Sequence, residues 1–149
     1  MLRSLIRFFM ALFVLFALAA CGSNNSISAP YGSTITINPT DTSVTDKGSV
    51  ITTHTQFYTI TVLDQNGQPM NNAKITISFP WAYPDSASAV TLYDGNSPQN
   101  SPFDAKTDSF GIYTLRFDYV SGGGLSYFGN LEVRSGTAYQ QVKFTVSNQ

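Results

Sequence analysis

From residue 33 onward, apolar and polar side chains alternate one by one in seven separate runs, and no stretch keeps the spacing of an amphipathic helix. Successive residues of a strand point to opposite faces, so this alternation predicts strands with one buried and one wet face. STITINP sets Ile35 and Ile37 on one side, and FYTITVLD sets Tyr58, Ile60 and Val62 against Thr59 and Thr61. AKITISF turns Ile75, Ile77 and Phe79 inward while Lys74, Thr76 and Ser78 face out; AVTLYDG adds Val90 and Leu92. GIYTLRFDY places Tyr113, Leu115, Phe117 and Tyr119 opposite Thr114, Arg116 and Asp118. SYFGNLEVRSG contributes Leu131 and Val133, and AYQQVKFTVSNQ ends the series with Val142, Phe144 and Val146.

Seven half-apolar strands predict an all-β fold of two antiparallel sheets packed face to face, because a lone sheet would leave its apolar side in water. A small closed barrel is the alternative. Regular hairpins throughout would mark it, and the connections here are uneven. Three of those connections carry aromatic residues that form a candidate contact surface. In FPWAYPD (79–85), Pro80 and Pro84 preclude ladder pairing at their own amides, so Trp81 and Tyr83 are expected in a stiff loop. There they either meet a partner or fold back over the open end of the sandwich. DGNSPQNSPFD (94–104) and SGGGLSYF (121–128) bring Phe103, Tyr127 and Phe128 beside the mobile triplet Gly122–Gly124. Tyr93 would join Trp81 and Tyr83 in a planar platform if the ligand were a carbohydrate.

The first residues follow another pattern. Arg3 and Arg7 precede an uninterrupted apolar run from Phe8 to Ala20, which ends in small side chains. Thirteen residues are too few to span a bilayer, which takes about 20, and the basic–apolar–small order is that of a secretory signal. Leu18-Ala19-Ala20-Cys21 resembles the lipobox of bacterial lipoproteins. That resemblance implies removal of residues 1–20 and acylation of Cys21, with the lipid bilayer as a partner. Residues 21–32, rich in Ser, Asn, Gly and Pro, would then form a flexible tether to a domain at 33–149. Gly22 stands where the family's inner-membrane retention signal has aspartate. This favours the outer membrane and leaves the membrane face open.

Composition narrows the chemistry. Without Arg3 and Arg7, six basic residues face nine acidic ones, a formal charge of −3 with no basic cluster. Nucleic acid, which demands several neutralising side chains, is excluded as a partner. Cys21 is the only cysteine and His54 the only histidine, so a zinc centre lacks ligands. His54 lies in the polar run SVITTHTQF and is expected in a solvent-facing loop; no Gly-x-Ser-x-Gly elbow accompanies it. The nine acids sit mostly beside Gly, Asn or Ser and are read as turn caps rather than as a catalytic pair. Asp64-Gln-Asn-Gly begins like a calcium loop but lacks its further acids and closing Glu. No catalytic residue, metal or cofactor is expected.

VLDQNGQPMNNAKITIS (62–78) and KTDSFGIYTLRF (106–117) resemble the bacterial immunoglobulin-like domains of invasin- and intimin-type surface proteins. Asp64, Asn66, Gly67, Pro69 and Ala73 fall on that pattern's first turn, and Thr107, Asp108 and Gly111 on its second. The resemblance implies an immunoglobulin-like sandwich serving as a spacer or adhesion module through protein–protein contacts. Such a module fits an accessory subunit of an envelope, pilus or secretion assembly. Tyr113 is expected inward beside Leu115, where it could form a tyrosine corner with loop backbone. A carbohydrate- or peptidoglycan-binding module is the other expectation.

Overall fold

A computed structural model describes residues 26–83 and 89–149, with backbone only at 81–83. The signal segment, Cys21 and residues 84–88 lie outside the described residues. Eleven strands are present there: β1 (Thr34–Asn38), β2 (Thr42–Thr45), β3 (Thr52–Leu63), β4 (Lys74–Ser78), β5 (Trp81–Tyr83), β6 (Val90–Asp94), β7 (Ser97–Gln99), β8 (Phe103–Lys106), β9 (Ile112–Ser121), β10 (Tyr127–Ser135) and β11 (Ala138–Ser147). One sheet has the order β1-β3-β9-β6-β7. The other has the order β2-β11-β10-β4-β8, with β5 also paired to β10.

The seven alternating runs became β1, β3, β4, β6, β9, β10 and β11. Their apolar faces meet in one core that draws on both sheets. Phe117 of β9 lies at its centre, edge-on to Phe79 at 5.2 Å and Tyr58 at 5.5 Å and tilted against Phe144 of the opposite sheet at 4.8 Å. Thr, Ile and Val dominate the strands because branched side chains suit a pleated surface with one face covered.

Two expectations need correction. The sheets are not wholly antiparallel: β2 runs parallel to β11, with Val44 opposite Val146. Four short strands also join the seven, and each was hidden by its composition. β8 is the clearest. Phe103 and Ala105 alternate with exposed Asp104 and Lys106 in a segment that Ser, Asn and Pro mark as a loop. The architecture is a two-sheet sandwich, and its strand count exceeds that of a seven-strand immunoglobulin domain.

The sandwich has two distinct ends. At the near end, where the described chain begins, lie residues 26–33, the 64–72 and 107–111 connections and the β10–β11 hairpin. Residues 26–32 are not free of the domain. Ile27 donates its amide to Asn72 O at 3.0 Å and accepts from Lys74 N at 2.8 Å. Ala29 is buried and donates its amide to Ser135 Oγ at 3.1 Å. Packed backbone therefore reaches back to Ile27 among the described residues, ahead of residue 33. The far end carries the 46–51 and 121–126 connections and the C-terminal residues, about 40 Å away for a strand as long as β3.

Candidate functional site

The alternation that buries Tyr58 in β3 runs backward through Gln56 to His54, and that of Leu115, Phe117 and Tyr119 in β9 runs forward to Ser121. Both His54 and Ser121 therefore enter the gap between the sheets at the far end. Ser121 is buried; its hydroxyl donates to Asp46 Oδ2 at 2.5 Å and lies 2.9 Å from His54 Nε2. Since the serine proton points at the carboxylate, Ser121 Oγ accepts from an Nε2–H of His54. The imidazole stacks on Tyr119 at 5.2 Å. His54 is thus half-buried within β3, not a loop residue facing solvent, because the strand begins at Thr52.

These three residue types invite comparison with a hydrolytic triad, and the geometry is the wrong one. In a triad the histidine stands between serine and acid, takes the serine proton and holds its charge against the carboxylate. Here the serine stands in the middle, buried, with its proton committed to Asp46. Among the described residues no three His, Cys, Asp or Glu side chains gather to hold a metal. The cluster is a latch. Asp46 follows β2 of one sheet, Ser121 ends β9 of the other, and Tyr127 of β10 donates its hydroxyl to Val120 O at 2.5 Å. Donation from Ser121, and secondarily from the Gly48 amide, holds the Asp46 carboxyl below the usual carboxylate range.

The latch orders two connections. Gly123 N donates to Gly48 O at 2.8 Å, and Gly122 has φ +83° with the position of a would-be Cβ 2.2 Å from Val50 O. The triplet expected to confer mobility instead permits backbone to lie on backbone. Held in this way, Val50 and Ile51 stand side by side at 72% and 59% exposure.

Two members of the candidate aromatic surface are buried. Phe103 is buried in β8 and Tyr127 in β10, so both belong to the core rather than to a contact face. Phe128 is exposed beneath the Lys143 ammonium, 5.3 Å from its ring centre. Tyr93 has one ring face covered by the Arg116 guanidinium at 4.4 Å. Trp81 and Tyr83 lie in β5, which pairs with β10 at Gly129 and Phe128, so the segment is a short strand and not a loop. Their side chains are outside the described residues.

The tyrosine corner is also absent from its expected place. Tyr113 is only half-buried and donates to Asp94 Oδ1 at 2.9 Å instead of to loop backbone. Tyr127 makes the hydroxyl-to-backbone contact.

At the near end the two turn motifs adopt the same geometry. Asp64 Oδ1 accepts from Asn66 N at 2.8 Å and Gln68 N at 2.9 Å, and Gly67 N donates to Asp64 O. Asp108 Oδ1 accepts from Phe110 N at 2.8 Å and Ile112 N at 2.9 Å, and Gly111 N donates to Asp108 O. Asp64 therefore closes a turn instead of opening a calcium loop. Gly111, at φ +71°, lies where a Cβ would come within 2.7 Å of Val62 O, so no larger residue fits. Pro69 bridges back to Leu63.

Sequence reasoning missed Asp46 and Ser121. Period-two extension alone would have brought His54 and Ser121 to one end; nothing in the sequence joins Asp46 to them.

No protein-family model matches the chain, and no curated protein matches it. Several solved structures are distantly similar to the chain. Domains 4 and 5 of the S-layer protein SbsC match with a TM-score of 0.47 and 17% identity, over 83% of this chain and 54% of that one. The chain thus spans about half the length of that structure. A PapD-like domain of human CEP192 gives 0.44 and 9% over 84% and 92%. A conjugative transposon lipoprotein from Bacteroides eggerthii gives 0.44 and 12% over 77% and 98%. All three scores lie below 0.5, so the two-sheet assignment rests on this chain's own strand pairing.

Proposed function

We propose that the chain is a lipid-anchored, non-enzymatic binding module of the bacterial envelope that contacts another protein through its far end. Acylation at Cys21 would moor it to the outer membrane, and it would act as an accessory or adhesion subunit of a larger surface assembly. The observation that supports the contact is the exposed pair Val50–Ile51. Folding gains little from two branched apolar side chains left in water, and a β-bound, latch-held loop presents them with little ordering cost to a partner. The platform of Trp81, Tyr83 and Tyr93 loses support as a sugar site, since the Arg116 guanidinium covers one face of the Tyr93 ring.

The test is crosslinking in intact cells with a photoreactive residue at position 50 and a control at Thr114, which is exposed on the outer face of β9. A recurrent adduct from position 50 that disappears with Ile51→Asp is expected. Adducts equally frequent from both sites, or none, would overturn the far end as the contact. Membrane partitioning of Cys21→Ser tests the anchor separately: loss of the protein from the membrane fraction is expected.

A further inference from the structure

Among the described residues, the near end exposes three large apolar side chains that the fold does not use: Tyr31 at 87%, Phe110 at 70% and Ile27 at 56%. Their connections are tied to one another. Gly32 packs on Gln65, Gly111 on Pro69 and Met70, and Asn72 bonds to both Ile27 and Thr107. Phe110 is the most informative of the three. It occupies the same place in its turn as Asn66 does in the matching turn, where a polar residue satisfies every local requirement. The turn needs only a backbone N–H from that position. The ring of Phe110 adds little to folding there, since 70% of the residue stays in solvent.

Position along the chain identifies what lies opposite. Only five residues, 22–26, separate Cys21 from Ile27, whose backbone is docked on β4. Even fully extended, the six steps from Cys21 to Ile27 reach roughly 20–22 Å. An acyl-bearing Cys21 would sit at the headgroup level, a layer of about 5–7 Å on each side of the hydrocarbon. The near end would then be held against the bilayer while the far end stood about 40 Å off. Tyr is favoured at the membrane interface, and Phe and Ile gain from entering it. Of the acids at this end, Asp104 is paired with Lys74 at 2.8 Å, and Asp64 and Asp108 each turn an oxygen back onto two amides of their own turn.

We infer that the near end is a membrane-resting face: Tyr31, Phe110 and Ile27 enter the lipid interface and fix the domain upright, with Val50 and Ile51 pointing away. This rests on acylation of Cys21, and the experiment separates the two. Full-length protein purified from membranes is reconstituted in phosphatidylethanolamine–phosphatidylglycerol vesicles, and the mass of the same sample reports acylation. An environment-sensitive fluorophore is attached through Asn66→Cys or, separately, Val50→Cys; acylation leaves Cys21 unable to react.

At position 66 the emission should shift to the blue and be quenched at least twofold by spin-labelled lipid, while position 50 behaves as in water. The Tyr31→Ser/Phe110→Ser variant, which alters only exposed side chains, should fold normally and lose the quenching at 66. Acylated protein with equal, water-like emission at both sites overturns the resting face and leaves the anchor standing. Quenching at 50 instead of 66 overturns the orientation. An unmodified Cys21 overturns the anchor and the resting face together.

Discussion

Both ends of the sandwich are closed by a buried hydroxyl, and they differ in what the hydroxyl joins. At the near end Thr107 Oγ1 accepts from Ala73 N at 2.9 Å and donates to Met70 O at 2.5 Å. Ser135 Oγ likewise accepts from Ala29 N and donates to Lys74 O at 2.6 Å. All four partners are neutral backbone groups. At the far end Ser121 joins Asp46 and His54, both ionisable. One chemical group thus makes a closure indifferent to pH where the chain enters the domain and a closure open to titration where the exposed apolar loop is held. At the near end the amide bonds to Thr107 and Ser135 are buried, whereas Asp46 at the far end keeps part of its surface in solvent.

The strongest way to break this comparison is Thr107→Val, which keeps the shape and leaves Ala73 N–H and Met70 C=O without their hydroxyl. Each group orphaned in this way costs about 1–3 kcal/mol. Urea unfolding should show a loss of about 2–6 kcal/mol for the two groups together, with amide exchange accelerating at Ala73 and Asn72. A loss below about 0.5 kcal/mol would mean that water replaces the hydroxyl.

Ser121→Ala should cost less, about 1 kcal/mol, because solvent can serve the Asp46 carboxylate once the hydroxyl is gone. Its signature is local: exchange at Gly123, whose amide rests on Gly48 O, should quicken while the Asp64 and Asp108 turns stay protected. Equal loosening at both ends would show that the latch supports the whole body.

The smallest effect separates the ends by charge. The Asp46 carboxyl is held below its ordinary value, so its contribution to stability is complete above the unfolded value of about 3.9 and is lost as pH falls through the lower folded value. Asp118, lowered chiefly by the Arg116 pair at 2.6 Å, and Asp104, lowered chiefly by Lys74, act in the same direction. The melting temperature should therefore fall between pH 5 and pH 2.5. In Asp46→Asn it should fall less steeply, with the Asp118 and Asp104 shares persisting. An unchanged slope would remove Asp46 from the acid response.

Much of the body was legible as pattern. Wherever a run offered three or more alternating apolar residues, as in Tyr113–Tyr119, the strand and its inward face were plain, because one buried side per sheet forces a period of two. The short strands were not legible. Phe103 and Ala105 give two apolar positions in a segment rich in turn formers, without the flanking branched residues that mark Ile35 and Ile37 as strand. Their burial comes from β4, which lies distant in sequence and pairs Ile77 with Phe103. Trp81 and Tyr83 escaped for a related reason: flanking prolines exclude a ladder at their own amides but not pairing between them.

By itself, then, the sequence determined the layer architecture, the turn chemistry at Asp64 and Asp108, and the thinness of the catalytic inventory, since these depend on neighbours within a few residues. Only tertiary structure decided that Asp46, His54 and Ser121 meet, that Gly122–Gly124 are packed instead of loose, and that Phe110 and Val50 stand at opposite ends. Those outcomes depend on which strands lie side by side and how two sheets close over one core, and no local rule along the chain encodes that.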